Sequence, residues 1–116
     1  MYVEIELDRP RRLRFDLRAI RDLEDAMGGK PVGRIVGDLR NVGVTAIVST
    51  LWAGLKHEDP SLSQNLVTKI LEQYLEAHSI QIVIKAINQA LNESGLLKRA
   101  GDETEGNAQP EPAAAG

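Results

Sequence analysis

Val44-Thr45-Ala46-Ile47-Val48-Ser49-Thr50-Leu51-Trp52-Ala53-Gly54-Leu55 carries the clearest periodicity in the chain. Its apolar residues Val44, Ile47, Val48, Leu51, Trp52 and Leu55 recur at the three- and four-residue spacing that puts side chains on one face of a helix. The stripe is broad enough to serve two surfaces, one against the protein's own core and one against a partner. Asn41 stands where a helix cap belongs. On this reading the protein is built around an aliphatic helix, and its neighbours in sequence must supply the layers that cover it.

Working toward the C-terminus, Lys56-His57-Glu58-Asp59-Pro60 reads as a loop. Ser61 with Gln64 fits a capping box. Leu62, Leu66, Val67, Ile70, Leu71, Tyr74 and Leu75 form the apolar face of the next helix. Ser79 starts a last one, with Ile80, Val83, Ile84, Ile87 and Leu91 in register, ending near Leu96-Leu97. Ile82 falls off that stripe. From Ala100 the character changes: Gly101 to Gly116 holds four acids, two prolines and no basic residue. Low hydrophobicity with one sign of charge predicts a disordered tail.

Toward the N-terminus, Pro31 suits the first turn of a short helix carrying Val32, Ile35, Val36 and Leu39. Before it, Asp16 is placed to cap a helix with Leu17, Ile20, Leu23 and Met27 on one stripe, closed by Gly28-Gly29. Val3-Glu4-Ile5-Glu6-Leu7 and Arg12-Leu13-Arg14-Phe15-Asp16 alternate strictly around a turn at Asp8-Arg9-Pro10-Arg11, which predicts a β-hairpin. One register pairs Leu7 with Leu13, Ile5 with Phe15 and Glu6 with Arg14. The expected fold is mainly α (α+β): an N-terminal hairpin followed by a bundle of four to five short helices. Residues 1–99 form a single domain and 100–116 an acidic tail.

Composition narrows the function. The 116 residues contain 14 Lys and Arg against 17 Asp and Glu, for a net charge of -3, which argues against a dedicated nucleic-acid binder. Without cysteine there is no disulfide, thiolate metal site or cysteine nucleophile. No apolar run approaches the roughly 20 residues that span a bilayer, and no signal peptide is visible. Gly28-Gly29-Lys30-Pro31 lacks the Ser or Thr that a phosphate loop needs after its lysine, so it reads as a helix end. His57-Glu58-Asp59 are adjacent loop residues that diverge instead of converging on a metal, and no second ligand cluster exists. Arg9, Arg11, Arg12 and Arg14 form a basic cluster that Glu4, Glu6, Asp8 and Asp16 neutralise. No catalytic group, metal or cofactor is expected.

Three blocks carry a resemblance. Leu13-Arg14-Phe15-Asp16-Leu17-Arg18-Ala19-Ile20-Arg21-Asp22-Leu23-Glu24, then Val44-Thr45-Ala46-Ile47-Val48, then Leu51-Trp52-Ala53-Gly54-Leu55-Lys56-His57-Glu58-Asp59-Pro60 follow in an order that resembles the small tail assembly chaperone (tail tube-like) proteins of siphophages and gene transfer agents. The resemblance spans about residues 12–95. It implies a helical, non-enzymatic protein that escorts the tape measure protein in the bacterial cytoplasm during tail morphogenesis, with the tail tube protein as a second partner and a homo-oligomer as one form. A structural component of the virion is the alternative. A small DNA-binding regulator is remoter, since the Leu62 to Leu75 helix carries only Lys69. The partner-binding candidates are Val44, Ile47, Val48, Leu51, Trp52 and Leu55.

Overall fold

The computed structural model describes residues 2–95. A two-stranded antiparallel hairpin, β1 (Val3–Glu6) and β2 (Pro10–Leu13), leads into α1 (Leu17–Ala26), α2 (Val32–Arg40), α3 (Val44–Leu55), α4 (Gln64–Tyr74) and α5 (Ile80–Glu93). The mainly helical architecture with an N-terminal hairpin is therefore as the sequence predicts. The expected acidic tail and the Leu96-Leu97 end of the last helix lie outside the described residues.

The middle of the assembly is α3. From Ala46 to Leu55 every residue except Trp52 is buried, including the polar Ser49 and Thr50. Such a helix must be covered on nearly all sides, and α1, α2, α4, α5 and β2 all pack against it. Its two buried hydroxyls are satisfied: Thr50 donates to the Ala46 carbonyl at 2.6 Å and Ser49 to the Gln64 side chain at 2.9 Å. Leu13, Leu23, Ile35, Leu39, Ile47, Leu51, Leu55, Ile87 and Leu91 are the large side chains sealed most completely around it. Few aromatics take part, so the core is set by interlocking aliphatic shapes.

The helix starts show where side chains decide a boundary. Asp16 caps α1 by accepting from the Ala19 amide at 2.8 Å. Ser79 caps α5 by accepting from Gln81. The cap of α4 is Ser63, which accepts from Leu66, whereas Ser61 turns to Asp59. Asn41 closes α2 and does not open α3, whose start at Gly43 has no side-chain cap. Leu17 is 69% exposed, because Ala19, Ile20 and Leu23 turn inward and leave it on the far side of α1.

The hairpin register also differs from the expected one. Val3 pairs with Leu13, Glu4 with Arg12, Ile5 with Arg11 and Glu6 with Pro10. The partner of Leu13 is thus four residues earlier than expected, an even slip that keeps Val3, Ile5 and Leu13 on the buried face. The turn shrinks to Leu7-Asp8-Arg9, and Phe15 leaves the ladder to pack on α3. A fork of two hydrogen bonds from Arg11 to Asp8, at 2.7 and 2.8 Å, fixes this tighter turn.

Candidate protein-binding surface

The predicted binding stripe divides when it folds. Ile47, Val48, Leu51 and Leu55 are buried in the core, Trp52 is half-buried and Val44 is 69% exposed. Periodicity identifies the face but not what covers it, and here α3 has neighbours over most of its length. The two ends of the helix then have different surroundings.

At its C-terminal end every element is tied down. A Cβ built on Gly54 would lie 2.7 Å from Phe15 and 2.9 Å from Leu13, so this glycine is what lets β2 and Phe15 close on the helix. The Arg14 amide donates to the Gly54 carbonyl at 3.0 Å. Trp52 donates from its indole to the Leu62 carbonyl at 3.0 Å, while the Lys56 ammonium sits 4.9 Å over its ring and pairs with Asp22 on α1. The loop after α3 is a clamp on β2. Glu58 accepts from the Arg12 amide, and a ring nitrogen of His57 lies 2.8 Å from the Arg12 carbonyl. Asp59 faces both Arg9 and Arg11.

Arg9, Arg11 and Arg12 of the basic cluster thereby pair with Asp8, Glu58 and Asp59, and Arg14 acts on Asp16, where sequence proximity pointed to Glu4, Glu6, Asp8 and Asp16. Arg11 is 5% exposed, the one buried cation among the described residues. Its guanidinium holds the Asp8 carboxyl below its ordinary value, and Asp8 in turn raises Arg11. The Ser61 hydroxyl, then Arg11 and Arg9, lower Asp59. At α1 the Ala19 amide lowers Asp16, with Arg14 and Arg18 adding to it. Among the described residues no group of three His, Cys, Asp or Glu side chains converges as metal ligands must.

At its N-terminal end α3 is open. The α2–α3 turn closes with the Gly43 amide on the Asp38 carbonyl at 2.8 Å and the Val42 amide on the Leu39 carbonyl at 3.0 Å. This is the double bond of a Schellman turn, which puts Val42 in the left-handed position at φ 59°. A β-branched residue there is a rare outlier. Val42 is 41% exposed, so with Val44 it forms an apolar knuckle on either side of Gly43.

With this geometry in view, comparison with known proteins decides the family. The family model described as phage tail assembly chaperone protein, TAC, matches residues 8–105. The chain belongs to the phage tail assembly chaperone family. No curated protein and no solved structure matches it. A tail assembly chaperone acts on protein partners, so the relevant surface is one that a protein can cover. Among the described residues no helix is long and apolar enough to cross a membrane. In this chaperone the Leu51-Trp52-Ala53-Gly54-Leu55 to Asp59-Pro60 block lies at the enclosed end of α3, where its residues hold the fold together. Sequence reading missed Val42 as a surface residue; the only signal for it was an apolar residue directly before Gly43, outside any helical stripe.

Proposed function

We propose that this protein is a non-enzymatic chaperone that binds the tape measure protein of a phage or gene transfer agent tail in the bacterial cytoplasm. It keeps that chain soluble until the tail tube forms around it, with the tube protein as a second contact. Family membership over residues 8–105 carries the reading. Residues 1–99 are taken as the working domain, 100–116 as an acidic tail, and no cofactor takes part.

Of the predicted stripe we assign contact to Val44, joined by Val42, while half-buried Trp52 stays with the enclosed end of the helix. Ile47, Val48, Leu51 and Leu55 support that surface from within. A knuckle of this kind suits a helix-in-groove contact that must later be released, because a small apolar area gives reversible binding. Co-expression with the tape measure protein encoded beside it tests the proposal. The expected result is a soluble tape measure protein that co-purifies with this chain, and finished particles that lack it. A tape measure protein that stays insoluble, with this chain retained in particles, would assign a structural role instead.

A further inference from the structure

The hairpin, α1, α2 and α5 pack on one another as well as on α3, whereas α4 rests chiefly on α3. The layer around α3 therefore stays closed without α4. The inward side chains of α4, Val67, Ile70, Leu71 and Tyr74, are buried. Yet among the described residues one hydrogen bond joins an α4 side chain to another element, from the Ser49 hydroxyl to Gln64. Lys69 and Glu72 make no ion pair there. The flanking chain suits a hinge. On the entry side Leu62 is buried, with its carbonyl on the Trp52 indole. On the exit side Leu75, Glu76, Ala77 and His78 are all exposed before Ser79 caps α5. The chain passes Trp52 at Leu62 and Ser49 at Gln64, so α4 sets out along α3 toward Val44.

We propose that α4 is a hinged cover that lifts as a unit, and that the α3 face beneath it seats an amphipathic helix of the partner in its place. This deepens the chaperone reading above and rests on it. The resident helix shows what the seat takes. It needs apolar residues at the i, i+3, i+4, i+7 spacing of Val67, Ile70, Leu71 and Tyr74. It also needs an amide three residues earlier, because the fully buried Ser49 hydroxyl loses its acceptor when Gln64 leaves. An element packed on one neighbour opens at lower cost than the core around it. The partner lands on Val42 and Val44 and then takes the seat. Release follows when α4 returns, since its tethers hold it at high effective concentration beside α3.

Hydrogen exchange of the full chain, read by mass spectrometry in low urea, tests it. Amides of α4 should exchange at least about tenfold faster than those of α5, and with a shallower dependence on urea, because a local opening exposes less surface than global unfolding. Ile35→Val weakens the core on the side of α2, away from α4. It should speed α5 exchange about three- to tenfold and leave α4 unchanged, since the lifted state keeps the α2 contacts. Equal speeding of α4 and α5 would mean that α4 opens only with the whole fold, and would overturn the proposal. In the complex with the co-expressed tape measure protein, α4 should lose protection while α3 keeps it. Unchanged or increased protection of α4 in that complex overturns the seat. If no complex forms, the chaperone reading fails and the seat with it, while exchange in the free chain still decides whether α4 is a cover.

Discussion

At its C-terminal end α3 is enclosed by a hairpin, an indole hydrogen bond, an ion pair to α1 and a loop that grips β2. At its N-terminal end, about three turns of helix earlier in the same run of apolar residues, it has no side-chain cap, and two valines face solvent. A related contrast appears at the helix ends before it. Gly28 and Gly29 close α1 with the same double hydrogen bond that closes α2, and both adopt positive φ as glycine does without cost. At α2 the left-handed place is given to Val42, and Gly43 follows one residue late. Gly43 has its own reason to be glycine, since a Cβ there would lie 3.1 Å from the Asp38 carbonyl. Val42 has none that packing supplies. An exposed, strained apolar residue beside a second exposed valine points to a surface kept for contact, while the enclosed end is kept for stability.

Substitutions at the two ends separate these roles. Gly54→Ala drives a methyl into Phe15 and Leu13 and should cost about 1–3 kcal/mol, read as a lower urea midpoint with tape measure binding lost only as the fold is lost. Arg11→Ala removes the fork to Asp8 and the charge facing Asp59. It should cost about 1–2 kcal/mol, discounted because Asp8 is a third exposed. Asp16→Ala loses the α1 cap and should cost about 1 kcal/mol. It should also flatten the acid limb of the stability curve. The sign follows from folded Asp16 titrating below its ordinary 3.8: its contribution is present at neutral pH and lost as pH falls through and below that value. Val42→Gly should stabilise by a few tenths of a kcal/mol up to about 1, relief of the left-handed strain being offset by a more flexible unfolded chain. A stabilised protein that binds its partner less well would sharpen the contrast; a destabilised one would break it.

Much of this was readable from local patterns. The caps Asp16 and Ser79, the Gly28-Gly29 stop and the five helices follow from short-range rules that tertiary contacts did not override. The hairpin was readable but its register was not. Alternation cannot reveal that Arg11 is tolerated on the buried face, because its fork to Asp8 depends on the turn and its second carboxylate, Asp59, arrives from 48 residues away. The same limit applied to α3: spacing marked one face from Val44 to Leu55, and only the placement of α1, α2, α4, α5 and β2 shows how little of it stays open. Val42 was illegible, since a strained dihedral angle leaves no periodic trace.

In the proposed role the open end of α3 holds the partner. The direct measurement is affinity capture of the co-expressed tape measure protein by a Val42→Asp, Val44→Asp double variant, with thermal melting of the variant alone as the control. Capture reduced at least about tenfold, equivalent to about 1.4 kcal/mol of binding, with a melting temperature at or near that of the wild type, is the predicted result. Undiminished capture by the double variant would contradict the account and move the partner site elsewhere on the protein.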